Sequence, residues 1–210
     1  DKWKMLIYTV CGLFSAAVAP VVAAHSFGGF PLMNLAARHG ARLGRAVVID
    51  TPLRPPSRAQ GQRGRGDSLR SAKVYTSEAE ALQRFRLLPP QGCANPFIAD
   101  LIARRGLKQT CGPDGRPGWV WRFDPFLFRH FEFGRPYKDL KQAMCPITLV
   151  RGGRSRLVTP ELVQLALSLA PPGTPLLEVP DADHHVMIDQ PLAFAELLAG
   201  LVPSQAPAPA

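Results

Sequence analysis

Carboxylates are scarce in this sequence. None occurs between Leu140 and Pro160, and over all 210 residues Asp and Glu total 16 against 25 Lys and Arg, for a formal net charge of +9. Cysteine is scarce too. Cys11, Cys93, Cys111 and Cys145 form no C-x-x-C pair, and no Cys/His cluster has zinc-site spacing. That excludes metal-stapled and disulfide-dense scaffolds, so neither a metal nor any other cofactor is expected. Free thiols in a reducing compartment are the plain reading, which makes the cytoplasm the expected location. The spacing leaves a Cys93–Cys111 bridge open. No internal repeat is present, which argues against solenoids and propellers.

What charge there is clusters. Arg54, Arg58, Arg63, Arg65 and Arg70 fall in a Gly/Pro/Ser/Gln-rich stretch, residues 52–73. No aromatic side chain stands among them to stack on bases, so the stretch reads as a solvated basic loop and no nucleic-acid partner is expected. Residues 5–24 carry no charge and follow Lys2 and Lys4, a length that suits a membrane span or signal peptide. Gly12, Ser15 and Pro20 interrupt the run, and it leads straight into a strand and a tight turn. A buried helix followed by a buried strand is the preferred reading, with a membrane anchor as the competitor. Hydrophobic residues at 46% and charged residues at 20% are an ordinary globular balance.

The pattern predicts a helix over 2–18, a strand over 21–24, a turn at 25–29, a helix over 30–39 stopped by Gly40, and a strand over 46–49 with Asp50 at its end. Alternation of this kind predicts a doubly wound, mostly parallel α/β sheet. Residues 1–51 are then the first part of the core, and 52–140 a basic linker and helical cap. That cap holds helical pieces at 77–87 and 96–105 and an aromatic cluster of Trp119, Trp121, Phe123, Phe126, Phe128, Phe131 and Phe133. Residues 141–202 complete the core, and 203–210 form a Pro/Ala-rich disordered tail. In the second core part, strands are predicted at 146–150 and 176–179. One helix runs from Pro160 to about 170 with Thr159 as cap, and another runs to about 201 with Asp189 as cap and Pro191 near its start.

The chemistry-bearing motif is Ala24-His25-Ser26-Phe27-Gly28-Gly29, placed between strand and helix. A sharp turn there lifts the Ser26 hydroxyl above the sheet edge, and small residues two before and two after let the backbone close. The helix that follows aims N–H groups at a developing oxyanion, and the Phe27 N–H is the candidate donor. A plain strand-to-helix turn is the bland alternative. A serine needs a base. His184, after the last strand in Asp181-Ala182-Asp183-His184-His185, is the candidate, with His185 beside it as the alternative. His25 is expected to point away from the catalytic face. The third member is a carboxylate that orients the imidazole. With none after strand 146–150, Asp50 is the candidate, against a turn-forming role before Thr51-Pro52. Trp119, Trp121 and Phe123 either line an apolar acyl pocket or form the cap's own core.

At these residues the chain resembles the α/β-hydrolase superfamily, in its esterase/lipase-like branch with a helical cap. The resemblance rests on the serine motif, on Val48-Ile49-Asp50, on Leu149-Val150-Arg151-Gly152-Gly153-Arg154-Ser155, and on His184-His185-Val186-Met187-Ile188-Asp189-Gln190-Pro191. The cap segments 85–91 and 118–125 are similar to one bacterial subgroup of hydrolases. The resemblance implies cleavage of a carboxylic ester or related acyl bond by a Ser-His-Asp triad in a small-molecule substrate. Some members carry the acid after the strand that follows the nucleophile, which favours Asp50. A serine at this position argues against the dehalogenase and epoxide-hydrolase branches, which use Asp. Relatives have four strands and an oxyanion loop before the nucleophile strand, whereas 25 residues precede Ser26 here. The chain is therefore expected to be N-terminally truncated, and an inactive family remnant is the alternative to an enzyme.

Overall fold

Alternate residues of one strand explain the layering of the structure, a computed structural model that describes residues 19–55, 73–112, 114–124 and 134–202. In β2, Arg45–Ile49, the side chains of Ala46 and Val48 enter one apolar cluster while Val47 and Ile49 enter another. A strand buried on both faces needs helices on both, which is the parallel α/β solution.

Among the described residues, four parallel strands form one sheet: β1 (Val21–His25), β2, β5 (Ile147–Gly152) and β6 (Leu176–Val179), in the order β1-β2-β5-β6. The intervening β3 and β4 belong elsewhere and are given below. On one face, Ala46 and Val48 pack with Leu32, Met33 and Ala36 of α1 (Gly29–His39) and with Leu140. On the other face, Val47, Ile49, Val150 and Val179 pack with Val186 and Phe194. The register pairs His25 with Ile49, Ile49 with Val150 and Gly152 with Val179. The carboxyl ends of all four strands therefore meet along one edge, where open α/β sheets place their ligands.

The chain divides into two compact units, residues 1–54 with 133–210, and residues 55–132. In the second unit, α2 (Glu78–Gln83) is capped by Ser77, whose hydroxyl accepts from the Glu80 N–H at 3.1 Å. It stops at Gln83, short of the predicted 87, as the chain turns toward Pro89. The helix α3 (Pro96–Arg105) has its predicted bounds, with Pro96 in its first turn. The unit is not helical throughout. An antiparallel hairpin, β3 (Leu107–Cys111) with β4 (Pro117–Trp121), lies in the segment read as cap helices and aromatics. Its signal was the Pro-Asp-Gly sequence at 113–115, a turn former, and Gly115 has φ 76°. Tyr75, Ala81 and Leu107 form this unit's small core, with Trp119 and Trp121 packed against it.

In the first unit, α4 (Pro136–Lys141), α5 (Pro160–Leu169), α6 (Val186–Asp189) and α7 (Pro191–Leu201) complete the layers. Asp189 does not cap the last helix as expected. It is buried at the end of α6, and its carboxylate accepts the Asp183 N–H at 2.8 Å. Gln190 stands at the cap position, and Thr159 makes no side-chain cap bond to α5. Cys93, Cys111 and Cys145 are free thiols, so the Cys93–Cys111 bridge is not formed. The predicted helix 2–18, most of the basic stretch, Phe126, Phe128, Phe131, Phe133 and the tail lie outside the described residues. Among the described residues, no helix is long and apolar enough to cross a membrane.

Candidate active site

The turn after β1 is strained where the chemistry needs it. Ser26 has φ 53°, a left-handed conformation that L-residues other than Gly rarely adopt, and it opens a single 3-10 turn, Ser26–Gly28, that runs into α1. The hydroxyl of Thr51 holds this turn by donating to the Ser26 carbonyl at 2.8 Å. The requirement for glycine falls one residue later than expected. A Cβ on Gly28 would meet Ala24 at 3.5 Å, an ordinary contact, whereas a Cβ on Gly29 would overlap the Thr51 hydroxyl and lie 2.9 Å from its Cβ.

Asp50, at the end of β2, also has a positive φ, 43°, and is wholly enclosed at 0% exposure. A buried carboxylate must have its oxygens occupied. Oδ1 accepts the Gly152 N–H at 3.0 Å, and Oδ2 accepts the Ser155 hydroxyl at 2.6 Å and His184 Nδ1–H at 2.7 Å. Ser155 Oγ itself accepts the Val158 N–H at 3.2 Å, so its one proton is committed to Asp50. A carboxylate only accepts, which fixes the proton of His184 on Nδ1 and leaves a lone pair on Nε2. That nitrogen stands 2.8 Å from Ser26 Oγ. His184 is 3% exposed. Of the adjacent pair it is His184, not His185, that reaches the serine.

The loop that carries His184 is fastened to the end of β5. Gly153 N–H donates to the Val179 carbonyl and Arg154 N–H to the Ala182 carbonyl, both at 2.9 Å. Gly152 has no room for a side chain, because a Cβ would lie 2.7 Å from the Ala182 carbonyl and overlap that of Asp183. Arg151 clamps the neighbouring loop, donating to the Val158 carbonyl at 3.0 Å and to Glu178 at 2.8 Å.

His25 does not point away from this edge. Its Nε2–H donates to the His184 carbonyl at 2.8 Å, and its ring lies 4.7 Å from that of His184 and 5.5 Å from that of His185. Burial is the main reason its pKa is lowered from 6.5 to about 4; the neighbouring imidazoles push the same way, and the bond to His184 opposes them. This meeting of three imidazoles is not visible as linear spacing. Phe27 follows Ser26 within the 3-10 turn, its ring edge-on to Phe30 at 6.3 Å. Trp119, Trp121 and Phe123 belong to the second unit. Trp121 stacks near Phe85 at 5.7 Å between ring centres, and Phe123 is 52% exposed. Sequence reasoning missed Ser155, Thr51 and Gly152. Their partners lie 25 to 105 residues away, so no local pattern could have revealed them.

A parallel sheet whose strand ends gather a strained serine, an imidazole and an enclosed carboxylate is the α/β-hydrolase arrangement. The sequence matches the alpha/beta hydrolase family over residues 8–197, and the chain belongs to that family. Among curated proteins it is 30% identical over 193 residues to the esterase Rv0045c of Mycobacterium tuberculosis, covering 88% of this chain and 61% of that protein's length. A solved structure of the same esterase, described with its transition metal inhibition, superposes with TM-score 0.68 at 25% identity over 94% of this chain and 67% of that one. A thioesterase domain from the curacin biosynthetic pathway superposes with TM-score 0.68 at 21% identity over 93% and 70% of the two chains, a likeness of fold.

Proposed function

We propose that this chain is a serine hydrolase that cleaves a carboxylic ester or a related acyl bond in a small-molecule substrate. One observation carries the reading: the unbroken hydrogen-bonded line from Ser26 Oγ through His184 to the enclosed Asp50. Ser26 attacks the acyl carbonyl as its proton passes to His184 Nε2. The imidazolium is stabilised by Asp50 and returns the proton to the leaving group, and water then releases the acyl group by the reverse path. The Phe27 N–H, at the amino end of α1, stabilises the oxyanion. The likeness to the M. tuberculosis esterase supports ester as the bond class. Inhibition by transition metals, described for that esterase, is carried over to this chain in the same spirit.

Short acyl esters of p-nitrophenol test the reading. Wild-type protein should hydrolyse them, and Ser26→Ala should lower kcat by about 10⁴-fold or more. Equal rates in the two proteins would contradict it. A second reading, a family member without turnover, is favoured by the position of β1, which pairs only with β2 among the described residues although it carries the serine. A folded wild-type chain without hydrolysis of any acyl ester would support that alternative.

A further inference from the structure

Three imidazoles meet at one corner of the sheet edge. His25 arrives at the end of β1, and His184 and His185 in the loop after β6. One ring nitrogen from each lies within 4.8 Å of the others. The ring centres are 4.7, 4.9 and 5.5 Å apart. The side-chain bond from His25 Nε2–H to the His184 carbonyl, at 2.8 Å, ties the two segments together. Proton transfer from Ser26 uses only one of the three rings. We propose that His25, His184 and His185 form a binding site for a borderline transition-metal ion such as Zn²⁺, Ni²⁺ or Cu²⁺, and that the bound ion inhibits the enzyme by occupying the general base.

The donor set suits those ions. Imidazole nitrogen is a preferred ligand for zinc, copper and nickel, and three histidines with further positions left open make a familiar coordination number. Tetrahedral ligands at about 2.0–2.1 Å from zinc sit roughly 3.3 Å from one another, so the widest pair here has to close by about 1.5 Å. Ring rotation supplies movement of that size. Two of the three rings, His25 and His185, are half-buried, and His184 is buried. His184 is already prepared as a ligand. A metal-binding histidine characteristically donates its second N–H to a carboxylate, and the Nδ1–H of His184 donates to Asp50 at 2.7 Å. The lone pair left on Nε2 is the one that accepts the Ser26 proton. Ion and proton compete for a single electron pair, so an occupied site leaves the serine without a base.

The inhibitory consequence rests on the assignment of His184 as general base; the site itself does not. Both can be read separately on the untagged full chain. Calorimetric titration with Zn²⁺ should give one site per chain, and Co²⁺ should show the visible absorption of a nitrogen-ligated ion. His25→Gln and His185→Gln, each confirmed folded by circular dichroism, should each weaken Zn²⁺ binding by about tenfold or more. In parallel, Zn²⁺ should block labelling of Ser26 by a fluorophosphonate, and EDTA should restore it. Absent binding, or binding unchanged in both variants because the ion sits elsewhere, would overturn the site. Tight binding that leaves labelling unaffected would overturn the inhibition. Metal-free protein that never labels would contradict the hydrolase reading, while the titration still decides the site.

Discussion

Asp50 is enclosed, and the loop after β5 carries no carboxylate. The structure compensates with Ser155. From that loop its hydroxyl reaches back 2.6 Å to Asp50, alongside the Gly152 N–H. Ser155 thus acts on the imidazole through Asp50. Under the proposed mechanism, Asp50→Asn should lower kcat by roughly 10³–10⁴-fold, because the amide favours the wrong tautomer of His184. Ser155→Ala should lower kcat about tenfold with KM nearly unchanged, since one hydrogen bond to a buried charge is lost, and Ser155→Thr should recover part of it. Steady-state kinetics on acyl esters check both. Ser26 and Asp50 could be singled out in the sequence because each follows an apolar run, and His184 because it stands in the loop after the last strand. The partners that hold them are spelled nowhere locally, and His25 was misdirected because strand alternation does not account for a residue at the very end of its strand.

At the scale of elements, the close approach of α1 to the loop after β2 decides whether the serine turn can form. Gly29 leaves room for Thr51, which in turn holds the Ser26 carbonyl. Gly29→Ala should cost about 1–3 kcal/mol of stability by overpacking, read from urea midpoints at constant slope. Adding Thr51→Ala should recover at least half of that loss, the non-additivity expected of side chains in contact. Loss that is simply additive would mean the two do not meet. The central strands β2 and β5 were legible because burial on both faces leaves continuous apolar runs. The hairpin β3–β4 was not, because Lys108 and Gln109 dilute its alternation and its aromatic residues read as a cluster without period. Asp189 was misread as a cap because an Asp before Pro resembles one, while its carboxylate serves the loop that carries His184.

For the molecule as a whole, burial of a neutral His25 makes stability depend on pH. Above about pH 6.5 the group is neutral in both states. Between about 6.5 and 4 the unfolded chain takes up the proton and the folded chain does not, so stability falls as pH falls, by about 2 kcal/mol at pH 5. Urea unfolding at pH 7 and pH 5 should show this difference, and His25→Gln should remove it. A variant as acid-sensitive as wild type would contradict the assignment. The larger claim is that one unit, residues 1–54 with 133–210, holds a working serine, base and acid. The measurement that tests it most directly is fluorophosphonate labelling of the purified full chain, with the modified residue located by mass spectrometry. A stoichiometric adduct on Ser26 is expected, one that disappears in Ser26→Ala and is strongly slowed in His184→Ala. A folded protein that acquires no adduct, or one that labels equally well without His184, would contradict it.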